Sequence, residues 1–269
     1  MPLPDPERTI SERYQRDWPR YFDAVTDQPP RETLLRALAA FDADDVRHPT
    51  HPRPLRLALD LGCGEGRDTR AIIRHGSQDA FTHPDRPKWG RPTGWIVVAI
   101  DSSDEGLSRV PRGLLQTELV RIHRVRLSLE ELADTPIDRL TSPLLDALAG
   151  HGAPPDWLPA PHDISLINAS FALPFCEPPR FPALWQWIAN TLTKSPYSTA
   201  RFSGQLFGDR DDWAAIRPGS HHTRQQIETL LTHANLTPEH IDEVEKDGSD
   251  AMGGTKHHHV FHIVARRGD

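Results

Sequence analysis

The sequence predicts an α/β fold on a seven-stranded, mostly parallel sheet, and three observations carry that prediction. Short Val-, Ile- and Leu-rich runs alternate along the chain with stretches of helical length. One run, Trp95 to Ile100, is apolar at every position, as a central parallel strand buried on both faces requires. The chain has 269 residues, of which 37% are apolar and 26% charged, so it can enclose a sizeable core.

The first strand is Leu55 to Leu61, which stops at a glycine cluster, and Thr69 to Arg74 continues as helix. Trp95 to Ile100 is the second strand and ends at Asp101; Ser103 to Val110 is a short helix, and Leu119 to Val125 a third strand. Asp163 to Asn168 is the fourth, followed by a helix from Phe181 to Leu192. Thr199 to Phe207 is the fifth, with a helix from Thr223 to His233. Ile241 to Glu245 and Val260 to Ala265 form a terminal hairpin. Strand and helix taking turns in this way builds a sheet covered on both faces.

Residues 1–52 carry helical pieces and the aromatics Tyr14, Trp18, Tyr21 and Phe22 but no strand, and are expected to form a helical cap over a main domain at 53–269. Two stretches rich in Pro, Gly, His and charge, 76–94 and 133–162, read as surface insertions, the second with a helix at Leu140 to Leu148.

The net charge of −7 argues against a general polyanion binder. Two cysteines, Cys63 and Cys176, make no disulfide framework, which points to a reducing, intracellular setting. Met1-Pro-Leu-Pro-Asp-Pro6 lacks a basic segment followed by an apolar one, so no secretory signal is expected. The longest apolar run falls far short of the ~20 residues that cross a bilayer. A cytoplasmic protein without a membrane partner is the expectation.

The most informative segment is Leu59-Asp60-Leu61-Gly62-Cys63-Gly64-Glu65-Gly66-Arg67-Asp68. A strand enters, glycines turn the backbone, and a helix leaves, so a ligand can touch the main chain and free N–H groups. A dinucleotide fingerprint needs a third glycine at position 67, where Arg stands. Asp60 would also repel a pyrophosphate; a ligand with an ammonium or hydroxyl groups suits the loop better.

This run resembles the first motif of class I S-adenosylmethionine (SAM) dependent methyltransferases. The resemblance implies a Rossmann-like class I methyltransferase fold with a final antiparallel strand, and SAM as cofactor. It implies that Asp60, Gly62, Cys63, Gly64, Gly66 and Arg67 surround the methionyl part. Ala99-Ile-Asp101-Ser102 matches the acidic end of the second strand that binds ribose hydroxyls in the family, and a carboxylate suits a diol. Ser128 and Leu129 stand where the family contacts adenine. Asp163-Ile-Ser-Leu-Ile-Asn168-Ala169-Ser170-Phe171 occupies the fourth-strand motif, and with Arg67 it resembles the tellurite-resistance and thiopurine methyltransferase branch. Pro30-Arg31-Glu-Thr-Leu-Leu is similar to the segment in which that branch meets the cofactor carboxylate with an arginine, so Arg31 is the candidate. Asn168-Ala-Ser-Phe171 differs from the Asn/Asp-Pro-Pro-Tyr of many amino-group methyltransferases of nucleic acids, which disfavours a nucleic-acid substrate.

Substrate candidates are Tyr14 and Trp18 in the cap, Phe171, and Gln205, Asp209 and Asp211 at the end of the fifth strand. That last group reads equally as a polar solvated loop with Trp213 as a packing anchor. His257, His258, His259 and His262 lie on a strand whose alternation puts His257 and His259 on one face and His258 and His262 on the other. Split in this way they make a poor metal site, and no metal is expected; one is a candidate proton acceptor. Cys63 reads as a small filler, Cys176 has no paired histidine in sequence, and no catalytic residue is assigned.

The expected function is methyl transfer from SAM to a small-molecule acceptor, such as a thiol or a chalcogen oxyanion, by in-line displacement. Two alternatives stay open: a SAM-binding protein without turnover, and an NAD(P)-dependent oxidoreductase on a similar sheet.

Overall fold

The computed structural model of the chain describes residues 17–47, 55–76, 94–192, 200–215, 221–249 and 253–268. Tyr14, most of the stretch 76–94 and parts of the cap lie outside those residues.

Among the described residues, eight strands form one sheet: β1 (Arg56–Leu61), β2 (Trp95–Asp101), β3 (Ile122–Arg126), β4 (Ile164–Ala169), β5 (Arg201–Gly208), β6 (His221–His222), β7 (Leu236–Ser249) and β8 (Thr255–Arg267). The order is β3-β2-β1-β4-β5-β8-β7, with the two-residue β6 beside β5. β1 to β5 pair in parallel, whereas β8 runs antiparallel to β5 and to β7. The chain order reverses between β1 and β4, which opens a crevice at their carboxyl ends.

Every residue of β1 and β4 is buried, which explains their near-continuous apolar sequence. β5 is equally buried although it carries Arg201, Ser203 and Gln205. Each finds a partner: the Arg201 guanidinium, for example, donates to Asp44 at 2.8 Å and Glu239 at 2.7 Å. Leaving such groups unmatched inside a core costs more than the bonds add.

The helices are α1 (Trp18–Val25), α2 (Glu32–Arg47), α3 (Arg67–Arg74), α4 (Asp104–Arg109), α5 (Gln116–Leu119), α6 (Leu129–Leu132), α7 (Ile137–Gly150), α8 (Phe181–Thr191) and α9 (Arg224–His233). Leu34, Ala37, Leu38 and Phe41 on α2 pack with Ile72 and Ile73 of α3 against Ala58, Trp95, Val97 and Leu166 on one face of the sheet. Their spacing is that of a helix with one apolar stripe. Leu140, Leu144, Leu145 and Leu148 of α7 join Leu184, Trp185 and Ile188 of α8 on the other face. α2 is therefore part of the sheet's covering, while α1 reaches over the crevice.

Three readings of the sequence need correction. Residues 133–162 are no surface elaboration: α7 supplies one wall of the core, because its leucines recur at three- and four-residue spacing. The third strand starts later than expected. Residues 116–119 instead form a single helical turn, tied by the Glu118 carboxylate, which accepts from Leu115 N–H at 2.7 Å and from Arg74 at 3.3 Å. The terminal hairpin is also longer than expected, with strands of 14 and 13 residues. β8 continues past its last pairing with β5, at Phe207 and Val260, and projects beyond the sheet with β7.

Candidate active site

The turn after β1 holds Gly62, Gly64 and Gly66 at φ of +63°, +55° and +87°. A side chain at 62 would place Cβ 2.5 Å from Ala172 Cβ, so glycine is required by contact as well as by conformation. The turn is held from the neighbouring strand β2. The Gly64 N–H donates to Asp101 Oδ2 at 2.8 Å, and the Ser103 N–H donates to Oδ1 at 2.8 Å. Burial raises the Asp101 pKa, and these backbone donors oppose the rise.

Asp60 behaves differently from the expectation. Strand alternation turns its side chain away from the crevice, and it is 1% exposed. It accepts from the Thr69 hydroxyl at 2.5 Å and from Asn168 Nδ2 at 2.8 Å. Asn168 Nδ2 also reaches Asp68 at 3.3 Å, and Asn168 Oδ1 accepts from the Ser203 hydroxyl at 2.7 Å. Burial, and then the neighbouring Asp68 carboxylate, push the Asp60 pKa up to about 7. Asp60 and Asn168 form a buried clamp joining β1, β4 and β5 beneath the turn and do not line the cavity. Ala169 is likewise fully buried. Gly66 closes the turn by donating to Cys63 carbonyl at 3.0 Å and leads into α3. The Cys63 thiol is pushed well above its ordinary pKa by burial and by the acids around it, so it is a poor nucleophile.

Arg31 and Arg67 approach each other beside Asp68. The Arg31 backbone N–H donates to Asp68 Oδ1 at 3.2 Å, and Arg67 Nε donates to the same oxygen at 3.3 Å. Burial, followed by the Arg67 charge, lowers the Arg31 pKa. Arg31 Nε and Arg67 Nη1 are buried N–H groups without a hydrogen-bond partner. Arg31, which also bonds the Tyr21 side chain, lines the cavity, while Arg67 stays behind it on Asp68, so one cationic side chain faces the space beside the glycine turn and suits an anion.

Gly62, Gly64, Arg31, Asp101, Ser102, Ser128 and Leu129 open onto one cavity of about 800 Å³, joined by Leu127, Trp18 and Phe171. Ser128 also caps α6, accepting from Glu131 N–H at 3.2 Å while donating its own N–H to the Glu131 carboxylate at 2.9 Å. The volume lies within the range of small-molecule sites.

The far end of the cavity joins candidates such as Trp18 to residues that the sequence reading did not assign to it. Phe175, Phe207 and Trp213 form an aromatic wall, with Phe207 6.2 Å from Phe175 and 5.7 Å from Trp213. Trp18 of α1 closes it, 5.4 Å from Phe175. The projecting hairpin adds Lys246, Lys256, His258 and His262. Lys256 stands 3.5 Å over the Trp213 ring and pairs with Asp211 at 2.5 Å. The shared parity of 256, 258, 260 and 262 was the signal that could have found this face. Burial lowers the His262 pKa. His257 and His259 lie on the opposite face, as alternation required, against Glu245, Asp247 and Glu243. Among the described residues no group of three metal-ligating side chains converges.

Three substrate candidates stand outside the cavity lining. Asp211 is buried and occupied by Lys256, the His259 N–H and the Trp213 N–H. Gln205 is 1% exposed and hydrogen-bonded at both ends. Asp209 is exposed and lies 3.6 Å from both Arg210 and His259.

No protein-family model and no curated protein matches the chain. Solved structures do. TehB from Haemophilus influenzae is similar over 84% of this chain and 60% of its own, with a TM-score of 0.53 at 12% identity. The chain thus spans less than two thirds of that protein. Magnesium protoporphyrin IX methyltransferase (ChlM) from Synechocystis PCC 6803 with bound S-adenosylhomocysteine (SAH) is similar over 93% of both chains, with a TM-score of 0.51 at 12% identity. The likeness shows the fold: a mostly parallel sheet with antiparallel terminal strands, as in class I methyltransferases.

Proposed function

We propose that this chain is a SAM-dependent methyltransferase acting on a small-molecule acceptor. The observation that carries the reading is one cavity onto which the Arg31 side chain, the glycine turn and the Asp101 carboxylate that holds the turn all open. The Arg31 guanidinium suits an amino-acid carboxylate, and the Asp101 carboxylate suits a ribose diol. Leu127, Ser128 and Leu129 offer an apolar edge with one hydroxyl for a purine. A nicotinamide dinucleotide fits less well, because its fingerprint needs a glycine at position 67, where Arg stands.

When bound, SAM supplies an already activated methyl group. The chain's work is then alignment and exclusion of water. Phe171, Phe175, Phe207 and Trp213 supply dry walls, and Trp18 with the rest of α1 covers them. Burial keeps His262 neutral, and it is placed to accept a proton from an acceptor that carries one. Among acceptors, a thiol or a chalcogen oxyanion agrees with the resemblance at the glycine turn and fourth strand. A soft nucleophile needs little help from a base.

The test is a thermal-shift comparison of SAM, SAH, NAD(H) and NADP(H), followed by a mass-spectrometric screen of thiols, selenite, tellurite, phenols and amines for gain of one methyl. Stabilisation by SAM and SAH with a methylated product is the expected outcome. Stabilisation by a nicotinamide cofactor instead overturns the reading, and SAM binding with no product favours a binding protein without turnover.

A further inference from the structure

Phe171 follows β4 with φ of +53°, a left-handed conformation that an aromatic residue rarely adopts. Such a conformation persists only where its surroundings fix it, and it clusters at ligand sites. Here the Phe171 N–H donates to Gln205 Oε1 at 2.9 Å, and Gln205 Nε2 donates to the Thr33 hydroxyl at 2.8 Å. Gln205 sits on β5, is 1% exposed, and lies opposite His262 in the β5–β8 register. A leucine or methionine would fill that core position with no polar group to match. The glutamine instead bridges three segments: the turn after β4, the start of α2 two residues from Arg31, and the central sheet.

The turn so held places the Phe171 ring between two functional ends of the cavity. The Arg31 guanidinium lies 4.6 Å from its centroid, and the His262 ring lies 6.1 Å from it, edge to face. We propose that Gln205 is a positioning residue that locks the Phe171 ring as the partition between the cofactor end and the acceptor end of the cavity. The proposal rests on the SAM reading of the site and goes beyond it by assigning the buried Gln205–Thr33 bridge a role in binding.

Calorimetric titration with SAH tests this on the whole chain. Gln205→Met removes both bonds at similar volume and is expected to weaken SAH about tenfold. Thr33→Val removes only the far bond and is expected to weaken it about threefold. Phe171→Gly lowers affinity by itself, but glycine adopts a positive φ without a clamp. In that background Gln205→Met should therefore cost less than about twofold, a non-additivity that a plain packing role would not produce. SAH affinity unchanged by Gln205→Met, or an equal loss in both backgrounds alongside equal falls in Tm, overturns the proposal. Wild-type protein that binds no SAH removes the underlying reading instead, and the proposal with it.

Discussion

The Asp101 carboxylate accepts the backbone N–H of Gly64 at 2.8 Å, so the end of β2 holds the turn that follows β1. Thirty-seven residues separate the two in sequence. One acid thereby both shapes the glycine turn and faces the cavity.

Arg31→Met removes a half-buried guanidinium from the cavity lining and leaves the Gly64–Asp101 bond of the turn untouched. It should weaken SAH by roughly 10- to 100-fold, the worth of one or two charge-assisted hydrogen bonds. 5′-Methylthioadenosine, which lacks the amino-acid part, should bind the variant as it binds wild type. Competition binding with both compounds checks this, and equal losses for the two would place Arg31 elsewhere than at the carboxylate.

Gly62→Ala places a Cβ 2.5 Å from Ala172 Cβ at a φ of +63°. The combination of strain and overlap should cost about 1–4 kcal/mol. Urea unfolding measures it, and SAH binding should fall together with stability.

Much of this site was legible in the sequence, for a physical reason. Glycines that must take positive φ and an acid ending a buried strand are local signals, and Gly62, Gly64 and Asp101 do line the cavity. The alternation that separates His257 from His258 is equally local. Asp60 was misjudged because an acid beside a glycine turn reads the same whether it faces a ligand or a buried hydroxyl. Only the arrival of Thr69 and Asn168 from other elements decides that. Phe207, Trp213 and Lys256 were missed because the acceptor end is assembled by a hairpin that projects past the sheet, and the length of that projection is set by long-range pairing. Residues 133–162 looked peripheral by composition, yet four leucines on one helical stripe made α7 a core wall.

The Asp60 carboxyl should make stability depend on pH in a direction opposite to most acids. Burial and Asp68 raise its folded-state pKa from 3.8 to about 7, so between these values the folded chain binds the extra proton. Stability therefore falls as pH rises from about 4 to about 7 and levels off above. Asp60→Asn keeps both partners, Thr69 and Asn168, and removes the charge. Chemical unfolding from pH 5 to 8 should show this part of the slope lost in the variant, a difference of a few kcal/mol at the upper end. A slope unchanged by the substitution would mean that Asp60 is ionised throughout.

Lys256 and Asp211 form a buried pair, their side chains 6% and 0% exposed. Lys256→Met leaves the Asp211 carboxylate buried against the His259 and Trp213 N–H groups, with His221 at 4.0 Å but without its cation, and should destabilise by about 3–5 kcal/mol. Asp211→Asn combined with Lys256→Met should recover most of that loss, because no uncompensated charge remains. A double variant no more stable than Lys256→Met would show instead that packing of the Lys256 stem on Trp213 dominates.

The most direct test of the cavity as a SAM site is a calorimetric titration of SAH into the wild-type protein and Asp101→Ala. Saturable binding to wild type, weakened about 100-fold or more in the variant, is the predicted result, since the acid both accepts the diol and fixes the turn. Equal SAH affinity in the two proteins would contradict the account.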